Sequence, residues 1–418
     1  MADKKYFPIK TPTSCQLKWN WSTLFLNTGT TSSCHRTGTS ELTAENFFNF
    51  HNTPTKLSDR QRMLDGQWPD QSCGYCRKIE ESGGFSDRML HLTIPESLPP
   101  ELELDNKALH VSPTILEVYF TNACNLGCLY CASTLSSSID SENIKFGDFK
   151  KAGVEITAID HHFKDLVPYF WEWFPTGFQT INRFHFMGGE PFYQKELDKL
   201  LDMIEEYPNP DCVLNIVTNL MVPKKRIEGV LKRLKQLLIA RKLKGVDISC
   251  SIDCWGPQQE YVRWGLDLNQ WEDNFKLLIE NRWIHLGISQ TISTLTIKTM
   301  PEFLVKLNEW RTDRKISHWL SGVTPGPNYL KGEIFGELEF KDAAEQILPL
   351  MPLVTDDDKT AHEYMQGVLN QITSSTPNYE EIKNLIIFLN EKDRRRKTNW
   401  RELFPWLIKY EALCGIIK

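Results

Sequence analysis

The run Thr114-Ile-Leu-Glu-Val-Tyr-Phe-Thr121 breaks directly into Asn122-Ala-Cys124-Asn-Leu-Gly-Cys128-Leu-Tyr-Cys131. The first half is rich in β-branched and aromatic residues and predicts a buried strand; the second is a loop with cysteines spaced CxxxCxxC. Working outward, Thr180 to Met187, Val213 to Asn219, Val246 to Asp253, His285 to Thr294 and Ile316 to Val323 read as five further strands. Between them, Glu196 to Tyr207, Lys224 to Leu243, Trp271 to Asn281 and Pro301 to Thr312 carry helical periodicity. Strand and helix in alternation imply a parallel sheet with crossover helices. The expected fold class is therefore α/β, a partial (β/α)6 TIM-like barrel. The cysteine loop falls at the C-terminal end of its first strand, where barrel enzymes keep their active sites.

Three thiolates can fix three irons of a 4Fe-4S cube and leave the fourth iron open to a substrate, whereas four would close it. From the spacing alone, a zinc site and buried free thiols are the other readings. The chain has 11 cysteines, and its charged start, Met1-Ala-Asp-Lys-Lys, has no apolar stretch behind it. No secretory signal is expected, so the location expected is cytoplasmic, where clustered cysteines point to metal rather than to disulfides. No apolar run approaches the roughly 20 residues of a membrane span, so no membrane contact is expected. The net charge of -6 gives no general attraction to nucleic acid, which is not expected as a partner. Two basic stretches, Lys224 to Lys244 and Arg394 to Lys397, are read as solvated helix faces, with a polyanion contact as the alternative.

Further along, Phe186-Met187 continues into Gly188-Gly189-Glu190-Pro191, about one strand-helix unit after the cysteine loop. Together, the CxxxCxxC loop and this GGEP stretch resemble the radical S-adenosylmethionine (SAM) superfamily. The resemblance implies that Cys124, Cys128 and Cys131 hold a 4Fe-4S cluster whose open iron is chelated by SAM, with Tyr130 near the adenine. It implies that Gly188 and Gly189 let the backbone approach the ligand and that Glu190 accepts hydrogen bonds from the SAM ammonium. Val217-Thr218-Asn219 is similar to the family's TNG strand end, with Leu220 in place of the glycine. Ser249-Cys-Ser251-Ile-Asp253 is similar to its later SxD strand, where a serine commonly reaches the SAM carboxylate, and Arg263 stands where relatives place an arginine that binds a carboxylate; the resemblance thus implies that Thr218, Asn219, Ser251, Asp253 and Arg263 belong to the SAM site. For Ser251 and Arg263 the plainer readings are a capping serine and a surface arginine.

A second set of cysteines precedes the barrel. Cys15 is followed by an alternating stretch from Ser22 and then by Gly29-Thr-Thr-Ser-Ser-Cys34, which predicts a β-hairpin bringing Cys15 and Cys34 together. Cys73-Gly-Tyr-Cys76 supplies another pair. Four thiolates so paired can close around a metal centre; structural zinc and unrelated thiols are the other readings. A glycine, four residues and a cysteine closing a hairpin is similar to the opening of the SPASM and twitch auxiliary-cluster domains, which follow the barrel in their families but would precede it here. The resemblance implies a second, auxiliary 4Fe-4S cluster in a twitch-like domain. His51, in the long connection Asn46 to Asp70, is read as a hydrogen-bonded structural residue.

The expected organisation is a small cysteine-rich auxiliary-cluster domain over 1–95, a Pro-rich acidic linker over 96–112, the partial barrel over 113–330 and a mostly helical C-terminal region over 331–418. The aromatic-rich segment Asp140 to Thr176 is expected to be a helical insertion. The resemblance implies an electron donor such as flavodoxin or ferredoxin, cleavage of SAM to a 5′-deoxyadenosyl radical, and oxidative modification of a peptide or protein. Other expectations are dehydrogenation or rearrangement of a small metabolite or nucleotide, and an iron-sulfur electron carrier or scaffold without SAM cleavage. Cys250, Cys254 and Cys414 are read as inert thiols, with a hydrogen donor to a substrate radical as the alternative.

Overall fold

A computed structural model describes residues 11–34, 38–69, 72–81, 86, 88–89, 109–159, 165–323 and 326–414. The strands in chain order are β1 (Trp21–Phe25), β2 (Thr30–Ser32), β3 (Ser40–Glu41), β4 (Ile115–Tyr119), β5 (Gly127–Cys128), β6 (Phe149–Lys151), β7 (Val154–Ile156), β8 (Arg183–Met187), β9 (Asn209–Thr218), β10 (Leu243–Ser251), β11 (Arg263–Trp264), β12 (His285–Ile292) and β13 (Ser317–Gly322). Nine of them form one sheet in the order β13-β12-β10-β9-β8-β4-β1-β2-β3. The six from β4 to β13 run parallel, as the alternation of strand and helix requires. Helices Lys195–Glu206, Lys224–Ile239, Leu268–Glu280 and Met300–Arg311 make the crossovers. Leu116, Val118, Phe184, Phe186, Leu214, Ile216, Ile248 and Ile288 are all buried on these strands, the pattern of a parallel sheet that forms the core.

The sheet is longer than the expected six strands. β1 lies parallel to β4, with Thr23 opposite Glu117, and β2 pairs back on β1 as the predicted hairpin. The N-terminal cysteine region is thus continuous with the parallel sheet across the expected boundary. Leu26 N–H donates to Tyr119 O at 2.9 Å where the two parallel strands end. The linker expected over 96–112 lies, up to residue 108, outside the described residues.

The segment expected to be a helical insertion is more mixed. Helix Ser137–Phe146 is followed by the β6–β7 hairpin and then by helix Val167–Gly177. The second helix does send its aromatics inward: Phe170 meets Phe120 at 5.0 Å between ring centroids, and Phe174 stacks on Phe178 at 4.4 Å. Past the sheet, helices Glu337–Leu350, Asp356–Ser374 and Tyr379–Arg396 make the C-terminal region. Among the described residues, no helix is long and apolar enough to cross a membrane.

Of the two basic stretches, the first is what its periodicity predicts. Helix Lys224–Ile239 buries Ile227, Val230, Leu231, Leu234 and Leu237 and turns its charges outward. The second differs. Arg395 and Arg396 are buried against helix Ser137–Phe146, where Arg395 reaches Asn143 and Gly147 O, and Arg396 reaches Glu142. Only Arg394 of the three faces solvent with most of its side chain. The solvated reading fits Arg394 and Lys397, which are exposed, but not Arg395 and Arg396, which are held by amide, carbonyl and carboxylate oxygens of residues 248 to 254 positions earlier in the chain.

Candidate functional site

Four parallel strands deliver the motif residues to one end of the sheet. β4 ends at Tyr119 before the cysteine loop, β8 at Met187 before Gly188, β9 at Thr218 before Asn219, and β10 at Ser251 before Asp253. The cysteine loop is pinned from both sides. Ser136 caps helix Ser137–Phe146 and its hydroxyl also donates to Leu126 O at 2.7 Å, while Ser137 and Ser138 hydroxyls donate to Cys124 O. Cys128 lies in β5, paired antiparallel with β11 so that Arg263 stands opposite it.

The Gly188-Gly189 turn presses on this loop. Gly188 and Gly189 have φ of 82° and 53°, and a Cβ on Gly189 would lie 2.2 Å from Ala123 O. Only glycine fits there. The next residue, Glu190, donates its N–H to the same Ala123 O at 2.9 Å. Its carboxylate is fully buried and accepts from Thr218 Oγ1 at 2.7 Å, Asn219 N at 2.5 Å and Phe192 N at 2.9 Å. Burial pushes this carboxyl up to about 7 despite the three donors, which favour the charged form. Asn219 then passes the connection on, its amide nitrogen 3.8 Å from Cys124 Sγ and 3.1 Å from Asn125 Oδ1. Leu220, where the resembling family writes glycine, adopts the left-handed φ of 58° that glycine would take freely.

A second relay serves Cys128. Asp253 is fully buried and takes a bidentate pair from Arg263, at 2.8 and 2.9 Å, together with the Tyr130 hydroxyl at 2.6 Å. The remaining Arg263 nitrogen points at Cys128 Sγ, 3.9 Å away. On its other side Asp253 accepts from Thr291 N at 2.9 Å, and its carbonyl accepts from Gln290, which in turn meets His318. Burial pushes the Cys124 thiol up to about 12 and also raises those of Cys128 and Cys131; Arg263 pulls Cys128 back down. The structure therefore joins Glu190, Thr218 and Asn219 to Cys124, and Tyr130, Asp253 and Arg263 to Cys128. Ser251 closes β10 opposite Ser289 on β12.

The family described as Radical SAM superfamily matches residues 118–304, the span that holds both relays. The chain carries a radical SAM domain. No curated protein matches the chain. Among solved structures, it is similar to native anSMEcpe with bound AdoMet and Cp18Cys peptide, at 12% identity and TM-score 0.33, over 64% of this chain and 63% of that one. It is also similar to SuiB of Streptococcus suis bound to precursor peptide SuiA, at 15% identity and TM-score 0.34, over 78% of this chain and 60% of that one. Coproporphyrinogen III oxidase (HemN) of Escherichia coli, a radical SAM enzyme, is similar at 11% identity and TM-score 0.33, over 62% of this chain and 52% of that one. The chain thus spans about three fifths of the length of the first two structures.

Outside the radical SAM domain, Cys15, Cys34, Cys73 and Cys76 line one cavity together with Leu17, Lys18, Trp68, Tyr75 and Arg88. Three of them belong to a small apolar core with Trp19, Trp21, Met63 and Ile115. Burial pushes the Cys73 thiol up to about 12, with Lys18 pulling against it, and raises Cys15 beyond that range, an effect the three neighbouring cysteines reinforce. Lys18 is buried and paired with Asp59 at 2.5 Å, and Arg88 with Glu80. Behind them, Lys56 donates to Ser22, Thr31 and Phe50 O, and Arg60 to Lys18 O and His51. His51 bridges Ser22 and Trp19 O, as a structural histidine would, and burial holds it neutral. Among the described residues, no three His, Cys, Asp or Glu side chains converge as one metal ion requires.

Sequence reasoning missed three parts of this arrangement. The Ser136-Ser137-Ser138 run could have been read as a cap before a helix. Tyr130, Asp253 and Arg263 were each marked by their motifs, but their joining in one hub, and the burial of Arg396, carried no local signal: Tyr130 lies 123 residues from Asp253 and Arg396 lies 254 from Glu142.

Proposed function

We propose that this enzyme reductively cleaves SAM to a 5′-deoxyadenosyl radical and oxidatively modifies a peptide or protein. The observation that carries the reading is the loop of three thiols at the strand ends with N–H donors directed at its sulfurs: Leu126 N 3.5 Å and Asn219 Nδ2 3.8 Å from Cys124, and Arg263 Nη1 3.9 Å from Cys128. Such donors suit the anionic sulfurs of an iron-sulfur cluster and tune its potential. Cys124, Cys128 and Cys131 would hold a 4Fe-4S cluster, which would supply the electron for reductive cleavage of SAM. The chain's own part is to fix the geometry. Glu190 locks the Gly188-Gly189 turn to the end of β9, and Asp253 locks Tyr130 and Arg263 in place. The backbone at Gly188 and Gly189, the Tyr130 ring and Ser251 are then the groups we assign to SAM, by resemblance to the family.

The four thiols lining one cavity support a second 4Fe-4S cluster. A site closed by four cysteines favours electron transfer over substrate binding, and hence an oxidative outcome. Peptides and proteins are the substrates that the resemblance to auxiliary-cluster enzymes suggests. Anaerobically purified protein should contain about eight irons, on the stoichiometry of two cubes. With SAM and a strong reductant it should release 5′-deoxyadenosine, and replacing Cys124, Cys128 and Cys131 by Ala should abolish that release. Continued release from the triple variant would overturn the reading.

A further inference from the structure

The C-terminal helix Tyr379–Arg396 lies outside the matched radical SAM domain, yet its last residue ends at the cluster loop. Arg396 is buried, with its Nε donating to Glu142 Oε2 at 2.6 Å. Its other two nitrogens, Nη1 and Nη2, are buried and have no hydrogen-bond partner among the described residues. Its guanidinium lies over the Trp264 ring, 4.9 Å from the centroid. A Cβ placed on Gly127 would lie 3.1 Å from Arg396 Nη2 and 3.0 Å from that same ring. Gly127 and Trp264 are register partners in the β5–β11 pair, and the neighbouring partners are Cys128 and Arg263. The guanidinium is therefore set against the backbone of the cysteine loop, one residue from a thiol, at a place kept open by the absence of a side chain on Gly127.

A buried guanidinium with two idle nitrogens is costly unless something anionic faces it. Glu142 cannot fill that part, because Lys392 shares its carboxylate at 2.5 Å, leaving two cations on one anion. We infer that Arg396 is an electrostatic partner of the cluster held by Cys124, Cys128 and Cys131, brought to it by the C-terminal region, and that its charge makes the cluster easier to reduce. The inference rests on the cluster assignment made above. One positive charge fixed in a poorly solvated place, against the residue before a cluster ligand, stabilises the added electron across the thin β5–β11 pair, as burial and neighbouring charge do in other iron-sulfur sites.

The test is a redox titration of the reconstituted full chain followed by electron paramagnetic resonance, using the signal that changes on adding SAM to isolate this cluster. Arg396→Gln should lower the reduced-to-oxidised ratio at a fixed potential about tenfold, which is about 59 mV for one electron. Arg396→Lys, which keeps the charge, should change it less than about threefold; Arg396→Met, which removes the charge and keeps the apolar stem, should show the same tenfold loss and replaces the glutamine variant if that does not fold. Arg395→Gln disturbs the same helix docking through Asn143 and Gly147 and should leave the ratio near wild type. An unchanged ratio in Arg396→Gln, a full tenfold loss in Arg396→Lys, an equal loss in Arg395→Gln, or an effect confined to SAM affinity would each overturn the inference. Absence of any SAM-sensitive signal in the wild-type protein would instead overturn the cluster assignment beneath it.

Discussion

The two cysteine sites are built in opposite ways. Cys124, Cys128 and Cys131 stand where parallel strands end, and polar groups from several strand ends bear on their sulfurs: Asn219 after β9, and Arg263 held by Asp253 after β10. Cys15, Cys34, Cys73 and Cys76 line a cavity set beside a small apolar core, together with the cations Lys18 and Arg88. The first site is organised by strand ends of the sheet and leaves Cys124 and Cys131 partly exposed; the second is organised by a hairpin on the sheet and two helices and buries three of its four cysteines. On the function proposed above, the difference suits a reacting centre in one case and an electron store in the other.

The sharpest way to break this comparison is to empty the second site alone. With Cys15, Cys34, Cys73 and Cys76 all changed to Ala, iron should fall from about eight to about four per chain while 5′-deoxyadenosine release persists, on the stoichiometry of cubes. The oxidised substrate should then disappear from the product mass spectrum. Loss of 5′-deoxyadenosine in this variant would show that the sites do not work separately.

Lys18→Met probes the polar support of the second site. It leaves Asp59 buried without its partner and should destabilise the chain by about 3 kcal/mol in urea unfolding, the usual cost of halving a buried pair. Iron should be lost from the four-cysteine site first. In the other region, Gly189→Ala puts a Cβ 2.2 Å from Ala123 O at a φ of 53°. It should cost about 2 kcal/mol or more, and the SAM-sensitive cluster signal should weaken while the other cluster stays.

The smallest effect concerns Glu190, whose folded-state pKa is raised from 4.5 to about 7, chiefly by burial. A carboxyl raised in the folded state binds more protons folded than unfolded, so its contribution to stability falls as pH rises between those two values. Glu190→Gln removes that slope. Urea unfolding at pH 5 and pH 8 should show wild type losing stability against the variant across this range. Equal slopes would mean that the three donors keep Glu190 ionised throughout.

Much of the fold could be read from local patterns. The six parallel strands and four crossover helices declare themselves by alternation and periodicity, which depend only on neighbours in sequence. The same holds for the GGEP turn, since a left-handed backbone needs glycine wherever it occurs. What the sequence hid were pairings at long separation. The alternation around Ser22 predicts a strand but cannot say that it lies beside Ile115 to Tyr119. The Arg394 to Arg396 run has the composition of a solvated face, and only Glu142, Asn143 and Gly147 show why two of the three are buried. Leu220 is a milder case. Its left-handed conformation breaks a local preference worth roughly 1 kcal/mol, and Asn274, donating to Leu220 O at 2.8 Å, helps to hold it there.

The position of β1 in the sheet also sets an order of assembly. β1 is flanked by β2, which follows within a few residues, and by β4, which follows some 90 residues later. All four outer cysteines precede β4, so during synthesis they leave the ribosome before the strand that will cover the exposed edge of β1. The hairpin can close at once, because its contacts are local, whereas the parallel ladder to β4 must wait for a long loop to form. Until then the edge of β1 is an open template for pairing with other chains. Early filling of the four-cysteine cavity would hold that hairpin in register until β4 arrives to cover it.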